Sequence, residues 1–253
     1  MLDLMASRQA IIREWEKFTE RLRPIPSADW QSSVRCEGWC IANLAAHVAW
    51  GISMEADALN RMMLNSTEPA TGVTAEPTET PEKLIDAITT AFDGLASKLK
   101  LLTADYMAKS VPMPYGPTPA QFALQVFTME AGIHGSDLAD ALRIEEELEG
   151  DIITATAAVI AGAFPMLAQG STETPMIGSK YRLSGKDITL DFSFEAGGWQ
   201  VGPTSGQPTC EISGTDSNII LFALGRIPAD DPRLGLTRDS EMGRKFKLYF
   251  PGP

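Results

Sequence analysis

The chain of 253 residues contains only two histidines, so any chemistry that needs an imidazole must use His47 or His134. Glu130 precedes His134 by four residues, and this spacing places both side chains on one face of a helix, one turn apart. Two imidazoles and one carboxylate suit Zn²⁺, and three protein ligands leave a coordination position open for water or a substrate. The sequence therefore raises the hypothesis of an open metal site formed by His47, Glu130 and His134.

The same residues also permit structural interpretations. A histidine on an apolar helix is often a core residue bonded to a carbonyl, and Glu-x-x-x-His is a common surface ion pair. The neighbours of Glu130 favour a buried site, because it lies between Met129 and Ala131, where an unpaired carboxylate is costly. Asp137 lies one turn beyond His134 and could accept its second ring proton, although a solvated helix carboxylate fits this spacing equally well.

The cysteines give weaker signals. Cys36, Cys40 and His47 carry zinc-ligand atoms, but Cys36 precedes the predicted helix and no second cysteine pair follows, which argues against such a site. Cys40 could instead be a nucleophile, because a helix N-terminus lowers the pKa of a thiol. Three cysteines in a chain of this length do not suggest a disulfide framework and indicate a reducing compartment.

Four amphipathic helices are predicted in roughly the first 145 residues. Their apolar positions recur every three or four residues, and the stripes include Ile11, Leu44, Ile85 and Phe122. The pairs Thr80-Pro81 and Thr118-Pro119 predict the starts of the third and fourth helices. Since each stripe needs a partner, we predict a four-helix bundle in which the second and fourth helices bring the possible ligands together. Residues 65–80 are expected to be mobile and 111–119 to form an irregular turn.

The pattern changes after Gly150. An apolar helix over 152–168 precedes segments of alternating polarity that predict strands at 188–194, 199–201, 210–212 and 246–250. Gly197-Gly198 predicts a hairpin turn, and Thr215 or Asp216 is expected to cap a helix that ends at Gly225. We therefore predict an α+β protein with a four-helix bundle at 1–146 and a smaller α+β domain with an antiparallel sheet at 147–253.

Charge and composition limit the partners. The formal net charge of −12 would repel nucleic acid and anionic membrane surfaces. Thr154 and Pro165 interrupt the apolar helix, so we interpret it as buried in the protein and not as a membrane span. The N-terminus lacks the pattern of a signal peptide, and we expect a cytoplasmic protein that is a monomer or a homodimer.

Several segments resemble a known family. Residues 36–40 (CEGWC), 43–47 (NLAAH) and 130–139 (EAGIHGSDLA) resemble the two signature stretches of the mycothiol-dependent maleylpyruvate isomerase family, within the DinB/YfiT-like superfamily. Residues 212–215 (ISGT) and 221–226 (LFALGR) resemble the family's C-terminal, sterol-carrier-like domain. The resemblance thus covers most of the chain.

This resemblance implies a metal site and a thiol cofactor. It assigns His47, Glu130 and His134 to a divalent metal, usually zinc, whose open position holds a low-molecular-weight thiol such as mycothiol. The implied reaction partner is a small electrophile, which would undergo thiol S-transfer or cis-trans isomerisation. Arg226 is expected to bind a substrate carboxylate and, with Asp137, completes the predicted catalytic residues. A cation just past a helix C-terminus explains Arg226 equally well.

Two departures from the family pattern affect the substrate. Gly135-Ser136 stands where many members have an Arg-Trp type pair, and Cys40 replaces the usual Ser or Thr cap. Small residues beside the ligands would reshape the pocket and suggest a substrate other than maleylpyruvate. We therefore predict a zinc-dependent thiol S-transferase or thiol-dependent isomerase, and the alternative is a non-catalytic metal- or lipid-binding module of the same fold.

Overall fold

A computed structural model describes residues 1–251. These residues form two compact units, Met1–Ala155 and a second unit that begins at Thr156. The division falls inside one helix, Gly150–Leu167. The domain boundary predicted between residues 146 and 147 lies in the connection before this helix, and it stays a prediction.

Long helices build the first unit. They are α1 (Leu4–Leu22), α2 (Ile41–Met63), α3 (Pro81–Leu101) and α4 (Ala120–Ala141), followed by α5 (Gly150–Leu167), which continues into the second unit. Helix α2 packs mainly against α3, and α1 packs mainly against α4. Their apolar stripes meet in one buried core that contains Trp15, Phe18 and Phe127, because each stripe can leave water only against another. The predicted helical bundle is confirmed.

The start of α4 differs from the prediction. Residues Gly116–Pro119 form strand β2, which pairs antiparallel with β1 (Ser110–Met113). The N-cap of α4 is therefore Pro119 and not Thr118. The segment predicted to be an irregular turn is a short hairpin, and its prolines are tolerated because both strands of this two-stranded sheet are edge strands.

The connection over residues 65–80 is held against α2. The Val73 amide donates a hydrogen bond to Ser53 Oγ at 2.7 Å. Gly72 lies so close to Trp50 that an added Cβ would be 2.5 Å from its Cδ1 atom. These contacts join part of the segment to α2, and the expectation that it is mobile stays a prediction.

The second unit contains a five-stranded sheet in the order β5-β4-β3-β6-β7. Its strands are β3 (Lys180–Ser184), β4 (Thr189–Glu195), β5 (Gly198–Val201), β6 (Cys210–Ser213) and β7 (Gly235–Arg238). The pairing of β3 with β6 is parallel and the other three pairings are antiparallel. The predicted α+β class is confirmed, and the sheet is mixed because the central strand β3, which the sequence analysis did not predict, pairs in both senses.

Helix α6 (Asp216–Ala223) follows β6 and agrees with its predicted end signals. The Thr215 side chain accepts a hydrogen bond from the Asn218 amide. Gly225 has a φ of +75°, a conformation that glycine adopts without the strain that a Cβ would cause. These two residues therefore fix the position of α6 in the chain.

The C-terminal strand prediction is wrong. Residues 240–249 form two short helices, α7 (Ser240–Arg244) and α8 (Phe246–Tyr249). Phe246 and Phe250 are buried whereas Leu248 is 51% exposed, although a strand would place all three side chains on one face. The four-residue spacing of the buried aromatic residues fits a helical turn as well as it fits alternate positions of a strand.

One helical stretch within residues 1–251 is long and apolar enough to span a membrane by length and composition. It covers Gly150–Gly170, with a mean hydropathy of 1.7 in its 18-residue window, a third of which is buried. Core helices of soluble proteins have the same properties. Its interpretation as a buried protein helix stays a prediction.

Candidate metal centre

Helices α2 and α4 bring the three predicted ligands together. One ligand atom each from His47, Glu130 and His134 lies within 4.8 Å of the others. His134 Nε2 is 3.1 Å from Glu130 Oε2, as expected for residues one helical turn apart. The centroids of the two imidazole rings are 4.9 Å apart. The convergence predicted for the second and fourth helices is therefore present.

Asp137 holds the other side of the His134 ring. Its side chain is fully buried, and its Oδ2 atom lies 3.2 Å from His134 Nδ1. A proton on Nδ1 donates to this carboxylate, so Nε2, on the Glu130 side, is the nitrogen that could bind a metal once it has lost its own proton. The contact predicted from the sequence spacing is present, and the solvated alternative does not apply.

The two carboxylates also set the charge of His134. Burial lowers the pKa of this imidazole, but its hydrogen bonds to Asp137 and Glu130 and their charges outweigh burial and raise the pKa to about 9. Near neutral pH the metal-free protein therefore holds an imidazolium between two carboxylates. A divalent cation on the Nε2 side would replace this proton as the positive charge.

The donor set fits a divalent cation. Ligand atoms of a tetrahedral zinc site are about 3.3 Å apart, so atoms within 4.8 Å of one another need only a small movement to share one ion. Two imidazole nitrogens and one carboxylate oxygen suit Zn²⁺ and leave a position open. The assignment of these residues as ligands stays a prediction.

Two tryptophans lie close to His47. The ring centroid of Trp39 is 5.1 Å from that of His47, and the ring centroid of Trp50 is 6.0 Å away. Trp39 precedes α2 and Trp50 is within it, so the predicted ligand has two aromatic neighbours. Their packing limits the directions that the imidazole can take.

Cys36 also lies at the site, although it was not predicted to be there. Its thiol lies 3.5 Å from Asp137 Oδ2, and Cys36, His134 and Asp137 form a second group of possible ligand atoms within 4.8 Å. Cys36 lies outside the helices, so helical spacing could not relate it to His134. The signal was its presence in the segment that resembles the family signature.

Cys40 has a different position. It is the N-cap of α2, and both its backbone amide and its thiol donate to Asn43 Oδ1. The two groups of possible ligands found within residues 1–251 do not include Cys40. This cysteine therefore performs the capping role for which serine or threonine is usual.

Arg226 belongs to the second unit. It directly follows Gly225 at the end of α6, is half-buried, and donates a hydrogen bond to the Leu224 carbonyl at 3.1 Å. This contact is the one expected for a cation beyond a helix C-terminus. Binding of a substrate carboxylate by Arg226 stays a prediction.

The fold and the site together define a class of protein. It has a helical bundle whose second and fourth helices present a His, Glu and His group, followed by an α+β unit. The sequence model described as the mycothiol maleylpyruvate isomerase N-terminal domain matches residues 12–139, about half of the chain. The chain therefore belongs to the mycothiol maleylpyruvate isomerase family, and the resemblance found in the sequence is confirmed.

Solved structures share the fold of both units. The crystal structure of a mycothiol-dependent maleylpyruvate isomerase has a TM-score of 0.69 and 17% sequence identity, with 93% of each chain covered. A histidine-to-alanine mutant of such an isomerase has the same TM-score and coverage with 18% identity. No curated protein sequence matches the chain significantly.

Proposed function

We propose that this protein is a metal-dependent enzyme that uses a low-molecular-weight thiol, such as mycothiol, to isomerise or conjugate a small electrophile. The observation that carries the proposal is the convergence of His47, Glu130 and His134 within 4.8 Å. All three lie in the residue range matched by a family that is named for a mycothiol-dependent reaction. Membership of this family supports a thiol-dependent isomerase, and the metal and the electrophile belong to the proposal.

In this proposal the bundle holds the metal and keeps its ligands in the right protonation state. His47, Glu130 and His134 would bind a divalent cation such as Zn²⁺, and Asp137 would keep the His134 proton on Nδ1. When bound, the cation would lower the pKa of a coordinated thiol so that the nucleophilic thiolate is available near neutral pH.

The role proposed for Arg226 is to bind a carboxylate of the electrophile. Arg226 presents a planar cation with several donors, which suits a carboxylate. In isomerisation the electrophile would leave as the trans isomer and the thiol would be recovered, whereas in S-transfer the product would keep the sulfur.

Turnover in the presence and absence of thiol tests this proposal. Zinc-loaded protein is mixed with mycothiol and maleylpyruvate or another unsaturated carbonyl acid, and chromatography follows the cis acid, the trans acid and the thioether. Product that requires the thiol and disappears in His134→Ala supports the proposal. Equal conversion without thiol, or no conversion of any such acid, contradicts it and favours the non-catalytic binding module.

A further inference from the structure

Glu55 is a buried carboxyl group to which the proposed reaction gives no role. It is 2% exposed, and its Oε2 atom has no hydrogen-bond partner among the described residues. Burial raises its pKa well above the usual range, and the negative charge of Glu130 adds to this effect. A buried polar atom without a partner costs about 1–3 kcal/mol, so its presence calls for a physical explanation.

The position of Glu55 relates it to the predicted metal site. His47, Gly51 and Glu55 follow one another at intervals of four residues in α2, so they lie toward one side of the helix. The helical rise places the ends of this series about 12 Å apart. Glu55 is thus on the helix that carries His47, and within electrostatic reach of Glu130 on α4.

Space is open between the two ends of this series. A Cβ added at Gly51 would meet no atom within 4 Å. Gly132 in α4 differs from Gly51, because a Cβ added there would lie 2.3 Å from Ile152 Cγ2. Gly132 is therefore required for close packing, whereas Gly51 leaves room beside α2.

Tyr115, in the turn between β1 and β2, lies within electrostatic reach of both Glu55 and Glu130. Burial raises the pKa of its hydroxyl, a hydrogen bond with Thr118 opposes this, and the charges of Glu130 and Glu55 raise it further. The residue as a whole is 61% exposed, so it lies at the surface of the unit. The two carboxylates therefore lie close enough to one surface residue for their charges to affect it.

We propose that Glu55 and the space at Gly51 form a subsite for the polar arm of the thiol whose sulfur is held at the predicted metal site. Glu55 accepts a hydrogen bond from a hydroxyl, amide N–H or ammonium group of that arm. An apolar arm would leave the buried oxygen unsatisfied, so the subsite selects thiols that carry donors. The assignment rests on the proposed function, because it requires a thiol at His47, Glu130 and His134.

Calorimetric titration of zinc-loaded protein with two thiols tests the subsite. Mycothiol carries hydroxyl and amide donors, and ethanethiol has none beyond its thiol. We expect Glu55→Met to weaken mycothiol binding about 10- to 100-fold and to leave ethanethiol binding unchanged. Glu55→Gln keeps an acceptor oxygen, so its affinity for mycothiol should fall less. Gly51→Leu should prevent mycothiol binding because the leucine side chain fills the space.

A second buried glutamate is the matched control. Glu14 is 4% exposed, but it is paired with Arg13 at 2.8 Å. Glu14→Met should therefore lower the melting temperature and leave both thiol affinities unchanged. Glu55→Met removes an unpaired carboxyl and should keep or raise the melting temperature, which separates a binding role from a structural one. Zinc content is measured for every variant.

The outcomes distinguish this assignment from the proposed function. Unchanged mycothiol affinity in Glu55→Met, or equal losses for both thiols, overturns the subsite while leaving the metal and thiol chemistry in place. A wild-type protein that takes up no zinc, or binds neither thiol, overturns the proposed function and the subsite with it. Selective loss of mycothiol binding supports the subsite.

Discussion

Replacing Asp137 by asparagine should weaken zinc binding without touching a predicted ligand. Asp137 Oδ2 lies 3.2 Å from His134 Nδ1 and 3.5 Å from the Cys36 thiol. Asparagine keeps the shape of the side chain but removes the charge that strengthens these hydrogen bonds. Loss of such a partner typically reduces metal affinity about 10- to 100-fold, or about 1.4–2.7 kcal/mol.

Competition with a chromophoric chelator at pH 7 measures this loss. The matched control is Asp140→Asn, because Asp140 lies on the same helix but pairs with Arg35 at 2.8 Å and is 45% exposed. We expect the control to stay within about twofold of the wild type. The reasoning fails if Asp137→Asn binds zinc as tightly as the wild type, or if both variants lose affinity equally.

The same substitution has a signature in the metal-free protein. The hydrogen bond to Asp137 is the largest of the effects that raise the pKa of His134 to about 9. In Asp137→Asn the pKa should therefore fall, while that of the Asp140→Asn variant stays near 9. NMR titration of the His134 ring measures both values, and an unchanged pKa in Asp137→Asn would contradict this account of the site.

Three further predictions concern stability. Gly132→Ala should lower the free energy of unfolding by about 1–3 kcal/mol, because the added Cβ would lie 2.3 Å from Ile152. Gly51→Ala should raise it by about 0.5–1 kcal/mol, and urea unfolding that ranks the two variants otherwise would refute the packing argument. Metal-free protein should lose up to about 3 kcal/mol as the pH rises, because the pKa of His134 is raised from 6.5 to about 9. This stabilisation is complete below pH 6.5 and is lost as the pH rises through about 9, and a profile without that decline would contradict it. Thr215→Ala should cost about 1 kcal/mol, since the Asn218 amide loses its cap, and an unchanged urea midpoint would show that the cap is dispensable.

The helices of the bundle were predictable because each has a continuous apolar stripe and local end signals. Thr80 and Pro81 begin α3 as expected, and Glu130 and His134 were related by helical spacing alone. Bringing His47 to them required only the packing of two amphipathic helices. The three predicted ligands could therefore be identified from helical periodicity and the packing of helices.

The remaining parts depend on contacts between residues that are distant in sequence. Cys36 reaches Asp137 from a loop, and no periodic pattern relates a loop residue to a helix. The central strand β3 gains its place by pairing with β4 and β6, which its own short sequence does not reveal. At 246–250 the spacing of the two phenylalanines fits both a strand and a helix, and the exposure of Leu248, which a strand would place on their face, agrees with the helix.

Metal analysis of the purified protein tests the central claim most directly. Wild-type protein, His47→Ala and His134→Ala are loaded with zinc, dialysed and analysed by elemental mass spectrometry, with circular dichroism to confirm that each variant is folded. The account predicts about one zinc per chain in the wild type and a loss of zinc in both folded variants. Wild-type protein that retains no zinc, or variants that retain as much zinc as the wild type, would contradict the assignment of His47, Glu130 and His134 as a metal centre.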